Sequence, residues 1–214
     1  MLEALLLYWL FFVSGTVPSN AAEVLVSFSL TQELHRIFFF DIPVVLLILY
    51  LFFNQNPAGL VNFLRPSKKA LLWSLINFFC LTLIAAGISA IAQISTPGSI
   101  GILIESPHTV SGWVVLVIGS FGTAYLEETY FRFYLPHRLQ SAGLSGMHSI
   151  LISVLLFSLC HIYEGPWATL NAATAGCVFS IFYRTSKNIH TPALAHGFYN
   201  ITAYILAALS CSPL

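Results

Sequence analysis

The stretch GWVVLVIGSFGTAYLEETYFRFYL, residues 112–135, decides the fold class of this chain. Residues 112–126 carry no charge, and Glu127, Glu128 and Arg132 follow them closely. An ionised side chain at bilayer depth costs about 2.5–3.5 kcal/mol on insertion scales. Three such side chains together therefore predict a functional polar site within a membrane protein.

The whole chain has the composition of a membrane protein. Of its 214 residues, 57% are hydrophobic and 7% are charged, whereas a soluble domain has roughly 25% charged residues. The run 70–91 exceeds the roughly 20 residues that a spanning helix needs. Runs such as 44–53 lack the alternation of apolar and polar residues that barrel strands show. We therefore expect an all-α, polytopic transmembrane helical bundle.

Seven apolar segments are predicted to span the membrane within a single transmembrane domain, residues 1–214. The first segment is short, and residues 24–30 could instead form a re-entrant or interfacial piece. Residues 19–22 resemble a cleavage site, but no basic residues precede the first apolar run, so we expect a retained helix rather than a signal peptide. The predicted spans are residues 4–17, 37–53, 70–91, 112–135, 147–163, 167–183 and 191–210.

The basic residues predict how these spans are oriented. Cytosolic loops of membrane proteins carry an excess of Lys and Arg. In a seven-span arrangement, most basic residues share one side and the acidic residues of the loops share the other, with Arg36 as the exception. We therefore expect a cytosolic N-terminus and an outer C-terminus, and the short loops favour a prokaryotic inner membrane. The basic residues are Arg65, Lys68, Lys69, Arg138, Arg184 and Lys187, and the acidic ones are Glu23, Glu33, Glu105 and Glu164.

The charge balance disfavours a nucleic-acid partner, and the cysteine spacing disfavours structural or metal-binding cysteines. The chain has eight basic and eight acidic residues, so it lacks the basic character of nucleic-acid-binding proteins, and no nucleic-acid partner is expected. Its cysteines are scattered without CxxC spacing, which argues against a disulfide framework or a thiolate metal site. The four cysteines are Cys80, Cys160, Cys177 and Cys211.

The acidic pair offers two carboxylates with different surroundings. Glu128 and Arg132 are four residues apart, so they are neighbours on a helix and the guanidinium can neutralise that carboxylate. Glu127 is rotated by about 100° and can face a different cavity. One carboxylate can therefore be structural and the other reactive. The alternative is that all three form a structural ion network that joins helices.

Two further predicted spans offer groups at the same spacing. Phe157 and His161 share a helix face, and so do His196 and Asn200. A single His in a membrane helix is more often a hydrogen-bonding partner between helices than a catalyst. A carboxylate, two imidazoles and a carboxamide on three helices are, however, what water activation and oxyanion stabilisation require.

These residues form three ordered motifs: EExxxR at 127–132, FxxxH at 157–161 and HxxxN at 196–200. In this order and spacing the chain resembles the CPBP family of intramembrane glutamic endopeptidases. That family includes CAAX prenyl endopeptidases and bacteriocin-processing relatives. The resemblance covers a motif-bearing core of about residues 112–210.

The resemblance implies a hydrolase that uses no metal and no cofactor. Glu127 and His161 would activate a water molecule, while His196 and Asn200 would stabilise the oxyanion. The substrate would be a membrane-embedded or lipid-anchored protein or peptide, cleaved near its C-terminus within the bilayer. The supporting residues would be Glu128, Arg132 and Phe157.

Two features complicate this prediction. Phe133 stands where many members of the family have Gly after the Arg, so its bulk could alter packing beside the site. In straight spans with the predicted bounds, Glu127 would lie near the cytosolic end and His161 about 21 Å in from that end, at 1.5 Å per residue from Met147. A tilted fourth span, or a fifth that begins deeper, would close the gap, and Pro136 is expected to mark a kink or stop.

One more acid lies within a predicted span. Asp41 precedes Pro43 early in the second span, and our preferred interpretation is that it caps a kinked helix. A role as a gate is the second interpretation.

Three alternatives to a glutamic peptidase remain. Glu127, His161 and His196 could bind zinc, with a metal-bound water as nucleophile, although HExxH is absent. The polar site could also belong to a non-catalytic scaffold, such as an immunity protein or a chaperone for a membrane client. Transport is a weaker hypothesis because paired discontinuous segments are not apparent.

Overall fold

Helices dominate because, inside a bilayer, backbone groups must find their hydrogen-bond partners within the protein. The computed structural model of the protein describes residues 1–17, 24–96 and 102–210. The possible cleavage residues 19–22, Glu23 and Cys211 lie outside these ranges. The helices are α1 (Leu2–Phe11), α2 (Leu30–Phe53), α3 (Pro57–Phe63), α4 (Lys68–Ser95), α5 (Val110–Ser141), α6 (Gly146–Leu159), α7 (Pro166–Ser186) and α8 (His190–Ser210).

The predicted helical transmembrane bundle is confirmed. Three helices, α2, α4 and α5, are long and apolar enough to cross a membrane, and α1 and α6 are shorter apolar helices. The number of seven spans stays a prediction. Two short strands, β1 (Val24–Val26) and β2 (Ile102–Ile104), pair in parallel with Val24 opposite Ile102. Residues 24–30 thus form a strand and the approach to α2.

Two of the long helices continue through a proline. In α2 a π-helical segment, Ile37–Asp41, precedes Pro43, and in α5 the segment Thr129–Tyr134 precedes Pro136. Proline lacks a backbone N–H, and its ring clashes with the carbonyl four residues earlier in a regular α-helix. The wider π turn, with its i→i+5 pattern, relieves that conflict. The helix therefore does not stop at Pro136, as was one expectation, but extends to Ser141.

The helices that carry the motifs pack directly on one another. Helix α8 lies against α5 and α4, and α7 lies against α4 and α6. Helix α1 packs on the π segment of α5, where the Tyr130 hydroxyl donates a 2.6 Å hydrogen bond to the carbonyl of Ala4. The Phe12 ring packs on Phe131, with 4.9 Å between ring centroids. The N-terminal residues therefore form part of the core.

Contacts between helix termini show which of them lie at the same end of the bundle. The Arg138 guanidinium lies 3.4 Å from the Glu3 carboxylate and donates to the carbonyl of Leu51 at 3.1 Å. The start of α1 therefore lies at the same end as the last turns of α2 and α5. The loop before α8 lies at this end too, because Asn188 donates to the carbonyl of Arg65 at 3.0 Å.

Candidate active site

The observed lengths of α5 and α6 bring the motif residues to one depth. Because α5 ends at Ser141, Glu127 lies about 21 Å from that end at 1.5 Å per residue. His161 follows the end of α6 at Leu159 and lies about 22 Å from the start of that helix by the same rise. The gap expected from the shorter predicted span is thus closed by the continuation of α5.

Glu128 and Arg132 form an ion pair sealed from solvent. The Arg132 Nε lies 2.9 Å from the Glu128 Oε2, and both side chains are 0% exposed. The guanidinium carbon lies 4.3 Å from the centroid of the Phe157 ring and 5.3 Å from that of Phe179. Cation–π attraction is strongest for desolvated cations, so the two rings compensate for part of the lost hydration of Arg132.

His196 connects this pair to the second carboxylate. Its Nδ1 lies 3.0 Å from the Glu128 Oε1, and its Nε2 lies 3.8 Å from the Glu127 Oε2. The Phe179 ring stacks on the imidazole with 4.9 Å between centroids. One imidazole therefore lies between the two carboxylates.

Helix α8 reaches α5 closely at the residue after His196. A Cβ atom on Gly197 would overlap the ring of Phe121 in α5. Only glycine leaves room for this contact, which is one reason for a close approach of backbone to a neighbouring side chain. The sequence HG at 196–197 therefore places the imidazole within reach of α5.

Glu127 differs from Glu128 because it faces open space. Its side chain is 19% exposed, and it lines a cavity of about 420 Å³. The walls come from four places in the chain: the turn after α1, the π segment of α2, helix α5 and the turn after α6. Of the two adjacent carboxylates, Glu127 is therefore the one that can reach a water molecule or a substrate.

His161 and Asn200 are less directly connected to the carboxylates. The Nδ1 of His161 lies 3.0 Å from the carbonyl of Phe157, and its ring packs on the ring of that residue. Phe157 in turn packs edge-on against His196, with 6.3 Å between centroids. In the part of the chain that the structure describes, no ion pair joins His161 to Glu127, and Asn200 makes no hydrogen bond through its side chain.

The residues of the zinc hypothesis are not arranged as a ligand set. Within the ranges 1–17, 24–96 and 102–210, no three His, Cys, Asp or Glu side chains are grouped so that they could hold one metal ion. The set Glu127, His161 and His196 is included in that search.

Phe133 lies away from the site. Its ring stacks on Phe53 with 5.6 Å between centroids and an interplanar angle of 6°. It also packs against Phe63 and Phe52, at 4.4 Å in each case. The bulk that replaces the Gly of many family members thus fills an aromatic cluster between α2, α3 and α5.

Two charged residues of the cavity, Asp41 and Arg36, were not predicted as part of the site. Asp41 makes no side-chain capping hydrogen bond, which corrects the interpretation of this residue as a helix cap, and it lines the Glu127 cavity together with Arg36. In a regular α-helix, residues five apart point about 140° away from each other. The π segment brings Arg36 and Asp41 together. The proline that follows is the sequence feature that indicates such a segment.

Comparison with known proteins gives one match. Residues 109–202 match the family model described as "Type II CAAX prenyl endopeptidase Rce1-like". No curated protein and no solved structure matches the chain. The match covers all three motifs and supports a CAAX-type intramembrane endopeptidase at the level of the family. The resemblance to the CPBP family is thereby confirmed, and residues 109–202 of this chain are similar to the Rce1-like type II CAAX prenyl endopeptidases.

Proposed function

We propose that the protein is a glutamic intramembrane endopeptidase that hydrolyses a peptide bond near the C-terminus of a membrane-embedded or lipid-anchored substrate. The observation that carries this proposal is the contrast between the two adjacent carboxylates. Glu128 is sealed against Arg132, whereas Glu127 lines the cavity. A charged residue that remains accessible in such a site can act as a general base.

In the proposed reaction, Glu127 and His161 activate a water molecule in the cavity. Glu127 removes a proton from the water as its oxygen attacks the carbonyl carbon of the substrate. The same proton then passes from Glu127 to the leaving nitrogen, and the C–N bond breaks. One water molecule is thus added across the C–N bond, which gives a carboxylic acid that then ionises and an amine. In this proposal the step uses no metal or other cofactor.

His196 and Asn200 stabilise the oxyanion in this proposal. The hydrogen bond between the His196 Nδ1 and Glu128 fixes the ring, so its Nε2 faces the side of Glu127. Asn200 follows one turn later on α8 and offers a second donor. Preorganised donors of this kind stabilise the charge that develops on the carbonyl oxygen. Glu128, Arg132 and Phe157 act as supports, because they hold His196 and each other.

The depth of the site restricts the substrate. Glu127 lies about 21 Å from one end of α5, by the rise of an α-helix, so a scissile bond must reach the interior of the bundle. A membrane-associated substrate arrives at that depth without crossing bulk water. At the family level, such a substrate is a prenylated membrane-associated protein.

We also propose a cytosolic N-terminus and an outer C-terminus in a prokaryotic inner membrane. The contacts of Glu3 with Arg138 and of Asn188 with Arg65 support the orientation. They bring the basic loops and the start of α1 to one end of the bundle, which the positive-inside rule assigns to the cytosol.

The proposal can be tested with purified protein and a fluorogenic peptide that contains a prenylated cysteine followed by three residues. We expect cleavage by the wild-type protein and a loss of about 10³-fold in kcat for Glu127→Gln, since general bases contribute typically 10²–10⁴-fold. His161→Ala should have a similar effect. Glu105→Gln is the matched control, because Glu105 is exposed and does not line the cavity.

Two results would contradict this assignment. Full activity of folded Glu127→Gln would remove the proposed base. Loss of activity on treatment with a chelator, followed by recovery with Zn²⁺, would favour the zinc enzyme instead.

The natural substrate can be sought by comparing protein C-termini in cells that express the wild-type protein or Glu127→Gln. A discrete C-terminus that is present only with the wild type would identify the substrate. An unchanged cellular phenotype and an unchanged set of C-termini would favour the non-catalytic scaffold.

A further inference from the structure

Asp41 is a buried acid that the proposed mechanism does not use. Its side chain is 2% exposed, in the π segment of α2, and it lines the same cavity as Glu127. An acid at this depth is expensive, and such residues usually mark a functional site. The position of Asp41 in the wall of the cavity therefore indicates a function within that cavity.

One oxygen of Asp41 is held by protein contacts. The Thr123 hydroxyl of α5 donates to its Oδ2 at 3.3 Å, and the Arg36 Nε lies 3.9 Å from the same atom. A Cβ atom on Gly122 would lie 3.0 Å from Oδ2, so the absence of a side chain there lets the carboxylate approach α5.

The other oxygen remains available. Within the described part of the chain, each hydrogen bond and ion pair of Asp41 uses Oδ2. Oδ1 is thus an acceptor in the wall of a cavity that also contains the proposed base. A carboxylate oxygen is an acceptor only, so the group that it binds must be a donor.

The charges in the cavity favour the same kind of ligand. Arg36 is the basic residue among the lining residues, but its guanidinium also lies 2.5 Å from the carboxylate of Glu33. Asp41 and Glu127 are therefore only partly balanced by Arg36. This environment favours a neutral or positive N–H group over a substrate carboxylate.

We propose that Asp41 is a further substrate-contacting residue, whose Oδ1 accepts a hydrogen bond from the N–H of the scissile amide. This inference rests on the proposed function. When the activated water attacks the carbonyl carbon, the amide nitrogen becomes pyramidal and gains a lone pair. Asp41 holds the N–H on one side, which leaves the lone pair free to take the proton from Glu127. Asp41 stays ionised, and the C–N bond breaks as in the reaction described above.

The test uses two probes that differ at one atom. The first is the prenylated peptide, and the second is its ester analogue, in which oxygen replaces the scissile N–H. We expect Asp41→Asn to lower kcat/KM for the peptide about tenfold, because hydrogen bonds to charged acceptors are roughly twice as strong as neutral ones. The rate for the ester, which has no N–H to bind, should change by less than about twofold for the same reason. Glu105→Gln is the control, because Glu105 is exposed and does not line the cavity, and it should change neither rate.

The outcomes separate this inference from the proposed function. An equal loss for the peptide and the ester would show that Asp41 has only a structural role, while the proposed function would stand if Glu127→Gln abolished both rates. If the wild-type protein cleaves neither probe, or if Glu127→Gln cleaves both, the proposed function fails and the inference fails with it.

A second variant covers the case in which Asp41→Asn does not fold, as judged by gel filtration and thermal unfolding. Thr123→Val removes the hydroxyl that orients the carboxylate. We expect about a threefold loss for the peptide alone, within the range of one neutral hydrogen bond. The same loss for both probes would overturn the role of Asp41.

Discussion

Helices α2 and α5 contain the same backbone irregularity, but their charged residues have different surroundings. Each continues through a proline after a π segment, and each carries an acid paired with an arginine. In α5 both partners are 0% exposed, whereas in α2 the Arg36 side chain is 38% exposed and the pair borders the cavity. The π segment thus sets which residues meet, and the packing around it determines whether the pair is sealed from solvent or borders the cavity.

The largest expected effect distinguishes the buried Glu128–Arg132 pair from the partly exposed Asp41–Arg36 pair. Arg132→Leu leaves Glu128 buried without its charged partner, and we expect a loss of about 3–5 kcal/mol in the free energy of unfolding. Arg36→Leu should cost less, about 1–2 kcal/mol, because Arg36 is partly exposed and lies 3.9 Å from Asp41, and the buried Asp41 keeps the hydrogen bond from Thr123. Denaturant unfolding of both variants in the same detergent measures the difference. Equal losses in the free energy of unfolding would show that the difference in burial between the two pairs does not affect stability.

An intermediate effect is expected from the prolines. Pro136→Ala allows a regular α-turn to replace the π segment, which would move Arg132 relative to Glu128 and shift His196. We expect a loss of about 10²-fold in kcat, the size associated with a misplacement of about 1 Å in a catalytic site. Pro43→Ala should cost less than about tenfold, since Asp41 is proposed to assist but not to perform the chemistry. Peptide cleavage by both variants measures this ratio, and an equal loss would mean that both π segments position the site equally.

The smallest effect concerns the glycine that lets Asp41 approach α5. Gly122→Ala places a Cβ atom 3.0 Å from the Asp41 Oδ2, and we expect destabilisation of about 1 kcal/mol from overpacking. Gly87→Ala is the matched control, because nothing lies within 4 Å of a Cβ atom there. It should raise the free energy of unfolding by about 0.5–1 kcal/mol, because Ala has the higher helix propensity and its Cβ meets no neighbour. Thermal and denaturant unfolding compare the two, and equal values would show that the contact at Asp41 is not tight.

Much of the fold could be predicted because it follows from composition and spacing. Long apolar runs indicate helices in a bilayer, and four-residue spacing places Glu128 beside Arg132. The length of α5 could not be predicted, since Pro136 ordinarily ends a helix and the π segment that avoids this has no pattern of its own. The meeting of Arg36 with Asp41 was missed for the same reason.

The contact between His196 and the carboxylates depended on tertiary packing. The sequence indicated which residues belong to the motifs, but the pairing of the imidazole with Glu128 results from the close approach of α8 to α5 at Gly197. Local spacing relates residues on one helix and does not determine which helices touch. The contribution of the turn after α1 to the cavity was likewise not visible in the sequence.

The turn after α1 makes the cavity sensitive to changes at the N-terminus. Phe12 and Ser14 line the cavity that holds Glu127, and Tyr8 is tied to α6 by a hydrogen bond to the carbonyl of Leu156 at 3.2 Å. The N-terminal arm therefore forms part of the wall of the cavity that contains Glu127. Deleting it, or displacing it with a bulky fusion partner, would therefore remove part of the cavity wall without changing any motif residue.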